Sequence, residues 1–305
     1  MNPILEVSGF VLLIILGQVL RRMDILTPDC SKAVSTLVLN VTLPCAILRA
    51  LNGVEISATF TVLILLGLLA NVFTFFLMGF TERKRLTAED GLNRTFTQLV
   101  MPGYNVGTFA MPFTASFLSP EGFLGLCLFD AGNAVMCTGG TYAVLFREPG
   151  SLWKQFLSIV KRLFSSFAIL TYLLVALLSI FSLRIPEPIL HIFDIPADAN
   201  TFLAMLMIGM SVNLNIRMES LRTLLRLLLL RYLGSCFLAA LAYWGLPFSE
   251  DIRLGIVLVL FAPLPAMGII FSMKARLNWQ LAANLNTMSV LVSVVIMSTL
   301  LSLLV

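Results

Sequence analysis

Asn105, Gly107 and Pro112 lie inside FTQLVMPGYNVGTFAMPFTASFL, residues 96–118, a stretch that also holds Pro102, Gly103, Tyr104 and Thr108. The run is long and apolar enough to cross a bilayer, which takes about 20 residues. Its prolines and glycines interrupt a helix, and an unpaired amide or carbonyl in hydrocarbon is costly, so a broken crossing survives only where its backbone faces protein or a protein-lined cavity. The same arrangement recurs at 252–273, IRLGIVLVLFAPLPAMGIIFSM, with Pro263 and Pro265 mid-span. Two interrupted spans in corresponding places of two halves point to the binding site of a secondary transporter.

The chemistry available there is anion binding. A break turns one crossing helix into two half-helices, and a half-helix N-terminus offers free amides and a partial positive charge suited to a carboxylate. Asn105 and Thr108 add side-chain donors, and Tyr104 is a candidate lining residue. At about 1.5 Å per residue Asn105 sits roughly 15 Å from the inner end of its span, near the midplane. Asp130, counted inward from Gly122, reaches a similar depth and opens a stripe with Asn133 and Cys137 on one helix face. An ionisable residue there costs about 2.5–3.5 kcal/mol and is functional by default, so Asp130 is a candidate for proton or sodium coupling, with Asn133 in support. Asn286 heads a polar face with Ser289 and Ser293, set to pack against the second broken span. Asn40 and Pro44 interrupt LNVTLPCAIL further upstream. No fixed basic residue is expected beside the half-helix ends, so dipoles alone would hold the anion, weakly enough to release it.

Of the 305 residues in the chain that carries these groups, 59% are hydrophobic and 12% charged, with a mean hydropathy of +0.97. That composition excludes a soluble domain and marks an all-α integral membrane protein. Apolar runs predict ten spans, near 4–20, 34–51, 57–80, 96–118, 121–146, 166–183, 199–216, 222–246, 252–273 and 281–304. The loops after the odd-numbered spans carry 16 of the 20 basic residues, which puts both termini on the non-cytoplasmic side. The N-terminal segment lacks the basic region and cleavage site of a signal peptide, so the first span is expected to be retained. Residues 149–165 read as an amphipathic cytoplasmic linker, with Trp153, Phe156, Leu157 and Val160 on its apolar face. It separates a first five-helix repeat, 1–148, from a second, 166–305. Five spans per repeat invert the second relative to the first, making spans 4 and 9 equivalent, and likewise spans 2 and 7, the latter with Gly209 and Ser211.

Enzymatic chemistry is not expected. His191 is the single histidine, and no GxSxG, HExxH or glycine-rich phosphate loop is present. Five cysteines without CxxC spacing give no metal site or disulfide framework, no cofactor is implied, and no basic tract for nucleic acid exists. A sensor built on a transporter scaffold is the rival class.

In LVLNVTLPCAIL, YNVGTFAMPF, FDAGNAV and FAPLPAMGIIFSMKARL, and in its ten-span layout, the chain resembles the auxin efflux carrier family, which includes PIN-type auxin carriers and bacterial malonate-transporter-like proteins. The resemblance implies two inverted five-helix repeats whose broken helices 4 and 9 cross at their prolines, with a substrate carboxylate at the crossing. Asn105 and Pro112 match the first arm; the crossing proline of the second is either Pro263 or Pro265. It further implies a homodimer in the bacterial inner membrane, with spans 1, 2, 6 and 7 as scaffold. Spans 3–5 and 8–10 would then move as an elevator. Transport of auxin-like aromatic acids or malonate-like dicarboxylates is the expected activity, a sodium-coupled organic-acid symporter of the bile-acid-symporter-like type being an alternative.

Overall fold

The computed structural model describes residues 3–55, 61–82, 94–146, 157, 160, 161, 163–212 and 221–304. Most of the amphipathic linker, including Trp153 and Phe156, lies outside these residues, as do the basic loop residues Arg83, Lys84, Arg85, Arg147 and Arg217. Among the described residues every regular element is helical, as lipid demands of a chain that must pair its own backbone groups.

In order these are α1 (Pro3–Arg22), α2 (Pro28–Leu37), α3 (Leu43–Leu51), α4 (Thr61–Thr81), α5 (Arg94–Val100), α6 (Met111–Thr114), α7 (Pro120–Val135), α8 (Thr141–Leu145), α9 (Phe167–Ile180), α10 (Glu187–Leu190), α11 (Asp194–Ser211), α12 (Leu221–Gly245), α13 (Glu250–Leu260), α14 (Met267–Lys274) and α15 (Trp279–Leu304). Several join end to end. Six of the resulting helices are long and apolar enough to cross a membrane: Asp29–Leu51, Thr61–Thr81, Pro120–Leu145, Glu187–Ser211, Leu221–Gly245 and Trp279–Leu303. The segments that hold α5–α6 and α13–α14 are absent from that set because each is broken in the middle.

Helix starts follow the local sequence. The Ser119 hydroxyl accepts from the Gly122 amide at 3.2 Å, with Pro120 in the first turn of α7, and Thr27 caps α2 in the same way. Proline inside a span is handled differently. A π-helical turn, Val38–Thr42, precedes Pro44, and another, Val106–Ala110, precedes Pro112. The wider turn moves the carbonyl that would meet the proline ring, so the chain stays helical through both residues. Asn40 therefore lies in a π turn and not in an unwound gap.

Helices pack closely where glycines remove side chains. A Cβ on Gly17 of α1 would overlap the Leu206 carbonyl of α11, and one on Gly209 of α11 would overlap the Ile14 carbonyl of α1. Gly67 and Gly132 bring α4 against α7 in the same manner, the packing expected where helix association relies on close backbone approach. Gly209 thus serves the α1–α11 crossing. It does not interrupt α11, which runs unbroken to Ser211, so the expected likeness to the kinked span 2 stops at sequence position. A single apolar cluster fills the interior, with Phe109 stacked on Phe113 at 5.4 Å and Phe10 tilted against Phe113 at 5.6 Å. Large apolar residues such as Phe80, Ile195 and Trp244 face outward.

Gly209→Val is expected to lower the melting temperature of detergent-purified protein by several degrees, since overpacking costs about 1–3 kcal/mol. Gly9→Val, where a Cβ meets no atom within 4 Å, should leave it nearly unchanged; equal effects would mean that the α1–α11 approach does not set stability.

Candidate functional site

The two interrupted segments meet. After α5, residues 101–105 leave the helix, and Gly103 takes φ +99. That left-handed conformation favours glycine, and a Cβ there would also come within 2.7 Å of Pro265 Cγ and 2.8 Å of Cys137 Sγ. After α13, residues 261–266 are likewise non-helical. The Asn105 amide donates to the Pro263 carbonyl at 2.9 Å, one backbone bond tying the first break to the second. Pro263 thus supplies the acceptor and Pro265 the ring against Gly103, so both prolines belong to the crossing.

Each break is held by the helix that follows it. Asn133 of α7 accepts from the Tyr104 amide at 3.0 Å and donates to the Tyr104 carbonyl at 2.8 Å. In the second half, Ser289 accepts from the Leu264 amide at 3.0 Å, and Asn286 donates to the Leu264 carbonyl at 2.6 Å. In both places side chains pair with the amide and carbonyl of one non-helical residue, which satisfies groups that a helix would have satisfied internally. Asn71 of α4 braces Asn133 Oδ1 at 3.1 Å. Ser293 donates to the Phe261 carbonyl at 2.6 Å and shares a hydrogen bond with the Tyr232 hydroxyl.

Arg231 of α12 overturns the expectation that no fixed basic residue stands beside the half-helix ends. It is 2% exposed. Its Nη1 donates to the Met101 carbonyl, and its Nη2 to the carbonyls of Gly103 at 2.7 Å and Ala262 at 3.2 Å. The guanidinium lies 4.7 Å from the centre of the Tyr104 ring. These carbonyls follow the C-terminal ends of α5 and α13, where the helix dipoles concentrate negative charge, and a planar fork reaches several of them at once. One cation thus neutralises both negative ends of the crossing. The sequence signal was available, since a charge mid-span is functional by default.

The N-terminal ends are left to other groups. Asn105 precedes the helical segment that begins at Val106, and Thr108 donates to Asn105 Oδ1 at 2.5 Å. With its oxygen so occupied, Asn105 presents its NH2, which meets no acceptor among the described residues. Asn105, Gly107 and Thr108 are all half-buried. Asp130, also half-buried, accepts from Asn133 at 3.1 Å and from the Tyr172 hydroxyl of α9 at 3.4 Å. A Cβ on Gly107 would stand 3.9 Å from Asp130 Oδ2, so the carboxyl faces the start of this segment. Tyr172 carries no sequence signal of its own, being one hydroxyl in an apolar run.

The structure therefore gathers Tyr104, Asn105, Thr108, Asp130, Asn133, Pro263, Pro265 and Asn286 about one crossing. It does not bring in Pro112, which is buried in α6 with its carbonyl accepting from Thr201 at 3.5 Å. The break falls at 101–105, where Pro102 and Gly103 stand, because the π turn lets the helix continue through Pro112. Asn40 is exposed and makes no bond to the crossing. Its neighbour Thr42 donates to Asn200 of α11 at 2.9 Å. Among the described residues no cluster of His, Cys, Asp and Glu is arranged to hold a metal. No protein-family model matches the chain, and no curated protein matches it.

Arg231→Met removes charge-assisted bonds worth about 1.5–3 kcal/mol each. We expect a clear loss of thermal stability and faster amide exchange at residues 101–105 and 261–266, with Arg231→Lys intermediate. Unchanged exchange in these segments would show that Arg231 does not hold the breaks together.

Proposed function

We propose that the chain is a secondary transporter for small organic anions, of the auxin efflux carrier family. In this reading ten spans form two inverted five-helix repeats in a bacterial inner membrane, with both termini outside the cytoplasm. The observation that carries it is the crossing itself. Two broken segments from separate halves are tied by Asn105 and Pro263, and each is clamped at one residue by polar side chains of the next helix. Matching clamps in two halves are what an internal repeat produces, and the six long apolar helices fit a multi-pass membrane protein.

The electrostatics favour an anion. Arg231 occupies the carbonyl-rich C-terminal ends, which leaves the amide-rich N-terminal ends and the Asn105 NH2, held in place by the Thr108 hydroxyl, as the donors facing a ligand. A carboxylate fits this donor set. Its binding would rest on dipoles and neutral donors, since the nearby guanidinium already holds backbone carbonyls. Release then needs no broken ion pair.

Alternating access by an elevator motion follows from the same division. Asp130 and Tyr172 belong to bodies that slide past one another in this reading, α7 with the moving part and α9 with the scaffold. Their 3.4 Å bond would break and re-form as the carrier cycles. Protonation of Asp130 removes the acceptor charge in that bond, a route by which a proton gradient drives the cycle. The scaffold helices would also pair two copies into a homodimer.

Solid-supported-membrane electrophysiology on proteoliposomes tests the reading, with a panel of mono- and dicarboxylates applied with and without pH and sodium gradients. Currents are expected for one acid class. Asn105→Ala should abolish them and ligand-induced thermal stabilisation while leaving expression and fold intact; binding that survives the change would remove Asn105 from the site. Asp130→Asn should make uptake indifferent to the gradients, and unaltered gradient dependence would reduce Asp130 to a structural role. Radiolabel counterflow separates a carrier from a sensor, because a sensor binds the acid without exchanging it.

A further inference from the structure

A cavity of about 480 Å³ opens beside Arg49, Leu118 and Asp198. Its walls come from α3, α11, the connection between α6 and α7 and the first turn of α7, with Ala46, Arg49, Ser116, Asp198, Asn200 and Thr201 among the lining residues. None of the residues at the crossing lines it, so it is separate from the site above. It is nevertheless joined to that site through the chain, since Thr201 bonds the Pro112 carbonyl and α6 continues the segment that starts beside Asn105.

Among the described residues Arg49 is the only cation in this wall, and its use is one-sided. Nη1 donates to Asp198 Oδ1 at 2.5 Å and reaches the Asp194 carbonyl at 3.5 Å. Asp194 Oδ1 is 3.8 Å from the same nitrogen, and the other oxygen of Asp194 is engaged by His191 at 2.8 Å. Nε and Nη2 of Arg49 make no hydrogen bond to a described residue. That edge of a guanidinium is the fork that receives both oxygens of a carboxylate. The side chain is partly shielded, 38% exposed, so its field is less screened than that of a free surface arginine. The small residues about it leave room for an organic group behind the carboxylate.

We propose that this cavity is a vestibule for organic acids, in which the Nε and Nη2 edge of Arg49 receives a carboxylate before the acid moves toward the crossing. The proposal rests on the organic-anion reading above for its ligand class, and places a second docking point some distance along the same path. Asp198 competes with the ligand for the guanidinium and keeps the hold loose.

The test uses detergent-purified Ser116→Cys protein, with modification of residue 116 followed by peptide mass spectrometry so that the five native cysteines stay in place. Rates with an anionic and a cationic methanethiosulfonate are each normalised to free cysteine. The anionic reagent should react severalfold faster, the direction in which a cation in a cleft concentrates a counter-ion, and millimolar benzoate should slow it. Arg49→Gln should abolish the preference. Arg49→Lys, which keeps the charge but not the fork, should keep the preference and lose protection by benzoate. Asp198→Asn should raise the preference. Equal rates, a cationic preference, a preference that persists in Arg49→Gln, or no protection by benzoate would each overturn the proposal. Labelling needs no transport, so a benzoate-sensitive preference with neither carboxylate currents nor counterflow would sink the carrier reading and leave only a carboxylate docking site at Arg49, and transport without a preference would overturn that docking site and leave the carrier reading standing.

Discussion

Backbone that leaves a helix inside hydrocarbon must find partners, because no water is there to supply them. At residues 101–105 and 261–266 this constraint organises the interior. Asn105 and Pro263 bond to one another, Asn133 takes both groups of Tyr104, Asn286 and Ser289 divide those of Leu264, and Arg231 gathers three of the remaining carbonyls. The packing of α4 on α7 belongs to the same demand. Without the close approach that Gly67 and Gly132 permit, Asn71 would not reach Asn133, and the amide that holds Tyr104 would be free to turn.

Arg231 changes how the crossing is understood. A buried guanidinium would ordinarily be read as the group that binds an anion, yet its bonds run to carbonyls of the protein itself. It acts as the counter-charge for two helix C-termini. In the proposed reading the polarity left for a ligand is then that of the N-termini, reinforced by the Asn105 NH2, which Thr108 orients. Charge of one sign is spent on structure while the other sign remains available, and both are set by the direction in which four half-helices meet.

Prolines mattered in two distinct ways. Pro263 and Pro265 stand in a true break, where one lends a carbonyl and the other its ring. Pro44 and Pro112 stand within continuous helix, each after a π turn. Sequence gives proline the same weight in all four cases. The difference comes from whether a neighbouring helix offers polar side chains to the exposed backbone: Asn133, Asn286 and Ser289 do so at the breaks, while the chain at Pro44 and Pro112 keeps its own ladder by widening one turn.

Composition and periodicity were enough to establish a helical, membrane-type protein, because the length of an apolar run is a local property. They also marked Pro102, Gly103, Asn105, Pro263 and Pro265 as a disturbance and Asp130 as a carboxyl out of place. What the sequence by itself left undetermined was who meets whom. Arg231 lies 130 residues from Met101 and 31 from Ala262, Tyr172 lies 42 from Asp130, and Arg49 lies 149 from Asp198. Spacing along a chain cannot report such meetings, since they depend on how helices approach in three dimensions. Only the tertiary structure decided that the mid-span arginine of α12, Arg231, would neutralise both broken helices, that Asn40 and Pro112 would stand apart from the crossing, and that Gly209 would pack against α1 without interrupting its own helix.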